Sequence, residues 1–439
     1  MVAWIGLRVR SSFAAALVWV LACANVAWAS GPTYGKDVAP ILLRNCVCCH
    51  HQGEVAPFPL TTYAEVRPKA RIIADVTRKR AMPPWQPVAG FAHFAGERRL
   101  SAAQIRTLEL WSAAGAPEGD PKTLPAVPTF PDEWQLGKPD LVVEVPEPME
   151  VPAEGPDVYQ CFVVPMDVPR TRYVRAVEFR PSNRRVLHHA LLFADASRIA
   201  KDPKYPCFGT IGLLPSLGLG GWSPGNGPIQ MLDGAAPPLQ AGSRLVAQIH
   251  YHPDGKPEVD KWKVGFYFTD EAPVRRVVDV GLATRAIDIP AGDAHYVVRQ
   301  HFTIPIAVDA VGVIPHAHLV CREMRAWAIL PGGRKQWLLN IADWNFNWQD
   351  QYRYATPIRL PADTRIEMEF VYDNSAANPR NPHSPPQRVV WGPGTDDEMA
   401  GIHVQSIPVR MEELPELGRA LWGAVMRSVG GRFYTPPPE

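Results

Sequence analysis

The run Cys46-Val47-Cys48-Cys49-His50 holds a C-x-x-C-H pattern formed by Cys46, Cys49 and His50. Two thiols at that spacing can each bond a vinyl group of one haem, and the histidine that follows falls beneath the iron. The pattern predicts one covalently bound haem c. The competing reading is a zinc site, which needs further Cys or His ligands nearby; only His51 and His93 are at hand. Met82, in Ala81-Met82-Pro83-Pro84-Trp85, is the candidate second axial ligand, with a packing methionine as the alternative. A thioether opposite imidazole raises the iron potential and suits passing electrons onward. Cys48 lies inside the motif and has no assigned role.

A second constellation is made of histidines. His188-His189 lie in the apolar run Val186–Phe193, His250 lies in Gln248-Ile249-His250-Tyr251-His252, and His316-Ala317-His318 follows Val313-Ile314-Pro315. Residues i and i+2 of a strand point to one face, so His316 and His318 can share a metal. The adjacent pair His188 and His189 starts on opposite faces and can share a metal only if the strand kinks or the rings use different nitrogens. Each strand alone reads as ordinary structure; three in one chain point to metal.

In their order these residues resemble the copper type II, ascorbate-dependent monooxygenases, which include peptidylglycine α-hydroxylating monooxygenase and dopamine β-monooxygenase. The likeness runs from about residue 138 to 412. It rests on His188-His189, Gln248-Ile249-His250-Tyr251, His316-Ala317-His318 and Gly394-Thr395-Asp396-Asp397-Glu398-Met399, with Tyr159-Gln160-Cys161 ahead of them. The resemblance implies two coppers, one held by His188, His189 and His250 and the other by His316, His318 and Met399. Imidazole suits copper in both oxidation states, and a thioether favours Cu(I). The family hydroxylates a C–H bond with dioxygen at the thioether-ligated copper and holds an electron at the other. Met324 competes with Met399 but lies outside the motif, and His252 is read as a bystander. Peptide-amidating members hold a substrate carboxylate with an Arg where this chain has Ile314, and use an Asn and a Tyr where it has Gly401 and His403. A glycine-extended peptide is therefore not the expected substrate, since a buried carboxylate needs partners. Gly220–Gly225 and Trp344, Phe346 and Trp348 are candidate pocket linings, or simple packing. The Met-Pro-Pro context after the haem motif resembles small class I cytochromes c.

These residues need elements to hold them. Residues 30–120 read as helical: Val38, Ile41 and Leu42 have helical spacing, and Ser101 caps a run carrying Ile105, Leu108 and Trp111 that Gly115 stops. A proline-rich linker spans 121–139. Beyond it the period becomes two, as in Tyr173–Phe179, Val264–Phe268 and Ile366–Tyr372. The expected fold is a small all-α cytochrome c-like domain followed by two antiparallel β-sandwich, jelly-roll-like domains. The first, 140–285, would carry the all-histidine site and the second, 286–412, the His/Met site, ahead of a tail at 413–439.

The chain has 439 residues, a formal charge of +1 and 47 prolines. That balance argues against a nucleic-acid partner held by a general basic field. Arg8 and Arg10, the apolar run Phe13–Ala24 and Ala27-Trp28-Ala29 read as a signal peptide over 1–29; an uncleaved anchor and a lipoprotein on Cys23 are the alternatives. No later run has the roughly 18 apolar residues of a membrane span. Export to the periplasm or outside the cell lets disulfides persist. Cys161, Cys207 and Cys321 are an odd number, so one stays unpaired unless Cys48 joins them. The expected partners are dioxygen, a small-molecule substrate and an external electron donor to the haem. Two rival functions use the same residues: a non-catalytic periplasmic haem/copper electron-transfer protein, and a binding module in which only the haem is redox-active.

Overall fold

The computed structural model describes residues 1, 31–54, 56–130, 134–200, 202–207, 217–224, 226–392 and 394–428. The signal-peptide reading, with Cys23, and the tail beyond Ser428 fall outside them, as does Gly225. The chain divides into two compact units. The first comprises the described residues of Met1–Gln52, Pro57–Pro83 and Leu100–Pro128; the second comprises those of Gly53–Ala56, Pro84–Arg99 and Thr129–Glu439.

The expected fold class is corrected here. The protein is mostly β, 36% strand against 15% helix, with no clear all-α domain at its N-terminus. The helical segments of the first unit are short: Ala39–Asn45, Tyr63–Val66, Ala70–Arg78 and Ala102–Ala113. Irregular chain separates them, because prolines and glycines break the helical periodicity between them. Helix Ala102–Ala113 does start at Ser101, whose side chain accepts from Gln104 N while Gln104 returns the bond. Tyr34, Val38, Leu42, Leu108 and Trp111 form the centre of this unit's core. The segment Pro84–Arg99, expected among these helices, belongs to the second unit instead.

The second unit is built from four main antiparallel sheets. In the first, Leu141–Glu144, Lys263–Thr269 and Arg172–Arg180 lie side by side. In the second, the order is Lys204–Pro206, Val158–Pro165, Arg244–Tyr251, Leu187–Asp195, Leu217–Trp222. Apolar residues of both sheets, among them Val177, Phe179, Phe266, Leu192, Leu245 and Trp262, share one buried cluster. The third sheet runs Val278–Thr284, Ala400–Pro408, Val308–His316, Tyr352–Leu360, and the fourth Tyr296–Thr303, Arg365–Tyr372, Cys321–Ile329, Lys335–Ile341. They share a second cluster centred on Val313, Met324, Leu339, Phe370 and Ile402, to which Leu417 of the helix Leu414–Ser428 adds. No helix among the described residues is long and apolar enough to cross a membrane.

Pro84–Arg99 bridges two sheet edges. Pro87 pairs with Ile341 and Phe94 with Tyr354, and backbone bonds join Val88 N to Asn340 O, Ala95 N to Arg353 O and Ala355 N to His93 O. The partner strands are the edge strands of the fourth and third sheets, so the strap occupies N–H and C=O groups that an open edge would leave unpaired.

Cys161 and Cys207 form a disulfide across 46 residues of sequence, and Cys321 is buried with its thiol pKa pushed well up by burial. A crosslink closing a loop of that length restricts the unfolded chain. Replacing both cysteines by serine should lower unfolding stability by roughly 3–4 kcal/mol, read from urea titrations of the oxidised parent and the variant; an unchanged midpoint would show that the crosslink contributes nothing.

Candidate metal centres and cavity

Three histidines converge on neighbouring strands of the second sheet. His250 pairs with His189 across the Arg244–Tyr251 and Leu187–Asp195 strands, and the next pair is Tyr251 with Leu187, so the register skips His188. This bulge is the kink that an adjacent pair of histidines requires, because an extra residue re-aims a side chain toward its neighbour's face. His188 Nδ1 lies 3.2 Å from His189 Nδ1, and His250 Nδ1 lies 3.4 Å from His189 Nδ1. Nitrogens bound about 2.0–2.1 Å from one ion at tetrahedral angles stand roughly 3.3 Å apart. Among the described residues this trio is the one group of three His, Cys, Asp or Glu side chains whose donor atoms all lie within 4.8 Å of one another.

The electrostatics favour neutral, ligand-ready rings at His188 and His189. Burial, then the neighbouring His250, lowers the His188 pKa to about 4, and burial drives His189 well below its ordinary value. His250 donates from Nε2 to Asp157 Oδ2 at 2.7 Å, which leaves its Nδ1 lone pair toward His189. His252, read from sequence as a bystander, donates from Nδ1 to the other oxygen of Asp157 at 2.7 Å. Burial pushes the Asp157 carboxyl up, but the bonds from His250 and His252 outweigh it and hold it at about 2. Tyr159, paired with His250 on the opposite side, stacks on it with centroids 4.2 Å apart. Carboxylates that orient a ligating histidine typically contribute 10–100-fold to metal affinity. Asp157→Asn should therefore weaken metal binding at this trio by about that factor, measured by competition against a chelator; unchanged affinity would remove Asp157 from this role.

His316 ends the strand Val308–His316, and His318 lies just beyond it. Their rings are 5.1 Å apart and nearly perpendicular. His316 donates from Nδ1 to Gln349 Oε1 at 2.6 Å, and His318 from Nδ1 to the Asp397 carbonyl at 3.0 Å. Both rings thus keep Nε2 for a ligand. Burial lowers both pKa values, that of His318 to about 4. His316 pairs with Gly401, so the register brings Met399, two residues earlier, to the same end of the sheet. Glu398 fixes that arrangement. Fully buried, its Oε2 accepts from the backbone N–H of His318 at 2.8 Å and of Met399 at 3.1 Å, and its Oε1 from Val320 at 2.8 Å and Cys321 at 3.1 Å. Met324, the rival ligand, is fully buried in the apolar cluster.

His188, His189, His316, His318 and Met399 all line one cavity of about 680 Å³. Phe346 sits beside both groups, its ring 6.4 Å from His188 and 5.7 Å from His318. Together these distances cap the separation of the two histidine rings at about 12 Å. Trp222 and Trp348 line the cavity as well, whereas Trp344 is buried in the core. Ile314, Gln349 and His403 also line it. Gln86 holds the Phe346 loop: its Oε1 accepts from Asn345 N at 2.6 Å and its Nε2 donates to the Trp348 carbonyl.

In the first unit, Cys46 caps helix Ala39–Asn45, and Cys49 N and His50 N both donate to the Cys46 carbonyl. His50 donates from Nδ1 to Phe58 O at 2.9 Å, leaving Nε2 as its ligand atom. Burial pushes the Cys46 thiol up to about 12 and lowers the His50 pKa. Met82 is half-buried in the turn after helix Ala70–Arg78, its N–H bonded to the Val76 carbonyl.

Asp157, Gln349 and the bonding of Glu398 escaped sequence reading. Glu398 carried a signal, an acid directly before the ligand methionine. Gln349 carried none.

No protein-family model matches this chain, and no curated protein matches it. Among solved structures it is similar to infectious bursal disease virus Gx strain, at 11% identity over 66% of this chain and 77% of that one, TM-score 0.17. It is also similar to Paenibacillus xanthan lyase, at 14% identity over 67% and 29%, TM-score 0.16. Likenesses this slight carry no argument about fold or function.

Proposed function

We propose that this chain is an exported copper-dependent monooxygenase that hydroxylates a C–H bond of a small molecule, with electrons supplied through a covalently bound haem c. The observation that carries the reading is one cavity lined by two donor groups, of which the first is completed by His250 and the second is His316, His318 and Met399. The donor chemistry fits copper: three imidazoles suit both oxidation states, and two imidazoles with a thioether favour Cu(I). When bound, copper supplies a one-electron couple at each site and, at the thioether site, an open position for dioxygen.

The residues divide the remaining work. Asp157 orients His250, Gln349 orients His316, and the Asp397 carbonyl orients His318, so each ring offers a defined nitrogen. Phe346 stands beside both groups and helps keep water from the space they share. The overall reaction consumes the substrate, dioxygen, two electrons and two protons, and yields the alcohol and water. Cys46, Cys49 and His50 are the proposed haem attachment, Met82 the proposed opposite ligand. A donor tethered in the same chain acts at raised effective concentration. The disulfide Cys161–Cys207 supports an oxidising compartment.

Metal analysis with oxygen uptake tests the proposal. The expected result is two coppers and one haem iron per chain, with uptake by the reduced, copper-loaded protein coupled to a hydroxylated product. Two coppers with no product from any C–H substrate would favour the electron-transfer reading; haem without copper would overturn the enzyme.

A further inference from the structure

The wall of the cavity restricts what can enter it. Its charged side chains, among the described residues, are Arg98, Arg184, Arg185 and Asp350. Each arginine is already paired. Arg98 bonds Asp350 at 2.7 Å, Arg184 bonds Glu54, and Arg185 bonds Asp254 at 3.0 Å and Glu258 at 3.2 Å. A substrate carboxylate would have to displace a protein carboxylate, and a substrate ammonium would meet arginine before it met a free acid. Desolvating either ion without a partner is costly. The rest of the wall mixes aromatic side chains, including Trp85, Trp222, Phe346 and Trp348, with aliphatic, amide and imidazole ones.

We propose that the substrate is an uncharged, largely apolar molecule, held by the aromatic and aliphatic parts of this wall rather than by an ion pair. The inference rests on the monooxygenase reading for the reaction that follows, but not for binding.

Three near-isosteric probes test it on the metal-free full chain by calorimetry: phenylacetamide, phenylacetate and 2-phenylethylamine at neutral pH. Phenylacetamide should bind at least about tenfold more tightly than either ion. Trp85→Ala should weaken it about tenfold. Asp350→Asn releases Arg98, and should move the preference about tenfold toward phenylacetate. That gain cannot arise from a variant that merely fails to fold. Equal or tighter binding of either ion by the parent, or no binding of any probe, would overturn the inference. Because copper is absent from the assay, a failed copper analysis would sink the enzyme and leave the ligand preference standing.

Discussion

His189→Ala should leave the chain with one copper instead of two, cut oxygen uptake about a thousandfold, roughly 4 kcal/mol in barrier, and leave the haem absorption unchanged. The expectation follows from position. The ring nitrogen of His189 is the hub of the trio, 3.2 Å from that of His188 and 3.4 Å from that of His250. Without it the remaining pair offers two donors, and Asp157 still orients one of them toward a vacated space. His252→Ala is the matched control: His252 is exposed and shares Asp157 without joining the trio. Retention of two coppers in His189→Ala would remove this residue from the site. Two coppers lost together would show that the sites fill as a unit.

Glu398→Gln should do the converse, losing copper at His316, His318 and Met399 while sparing the trio, and lowering stability by about 3 kcal/mol. The carboxylate takes four backbone N–H bonds, two on each oxygen. A carboxamide can accept on one oxygen only; its NH2 would face two backbone donors at a site with no solvent exposure. Both the turn carrying His318 and the residue before the Ala400–Pro408 strand would then lose their anchor. Urea unfolding and copper titration read the two effects separately. A variant with normal copper content would show that the surrounding sheets alone position Met399.

The parts legible in the sequence were those written in a period or a spacing. Histidines at i and i+2, a His-His pair in an apolar run and an acid before a methionine are local patterns, and the strands that bear them are largely buried apolar runs. The structure added what depends on register. The bulge at His188 exists because two strands pair out of step, and no composition of either strand alone records it. Asp157 and Gln349 act across 93 and 33 residues of sequence, distances over which a single chain gives no pairing signal. The fold class was misread for a related reason. Helical spacing around Ile41 and Leu108 is real, but it belongs to segments of seven and twelve residues. The chain between them includes Pro84–Arg99, whose bridges are to strands more than 240 residues away.

That strap has an evolutionary and practical corollary. The polypeptide passes between its two units five times, at residues 52/53, 56/57, 83/84, 99/100 and 128/129, so each unit is made of three separate stretches of sequence. Replacing the chain up to a single junction near residue 128 would carry off Trp85, Gln86 and Arg98, and with them part of the cavity's own lining. On the proposed function, redox partner and substrate preference are inherited together, and a lineage could not shuffle one without redrawing the other.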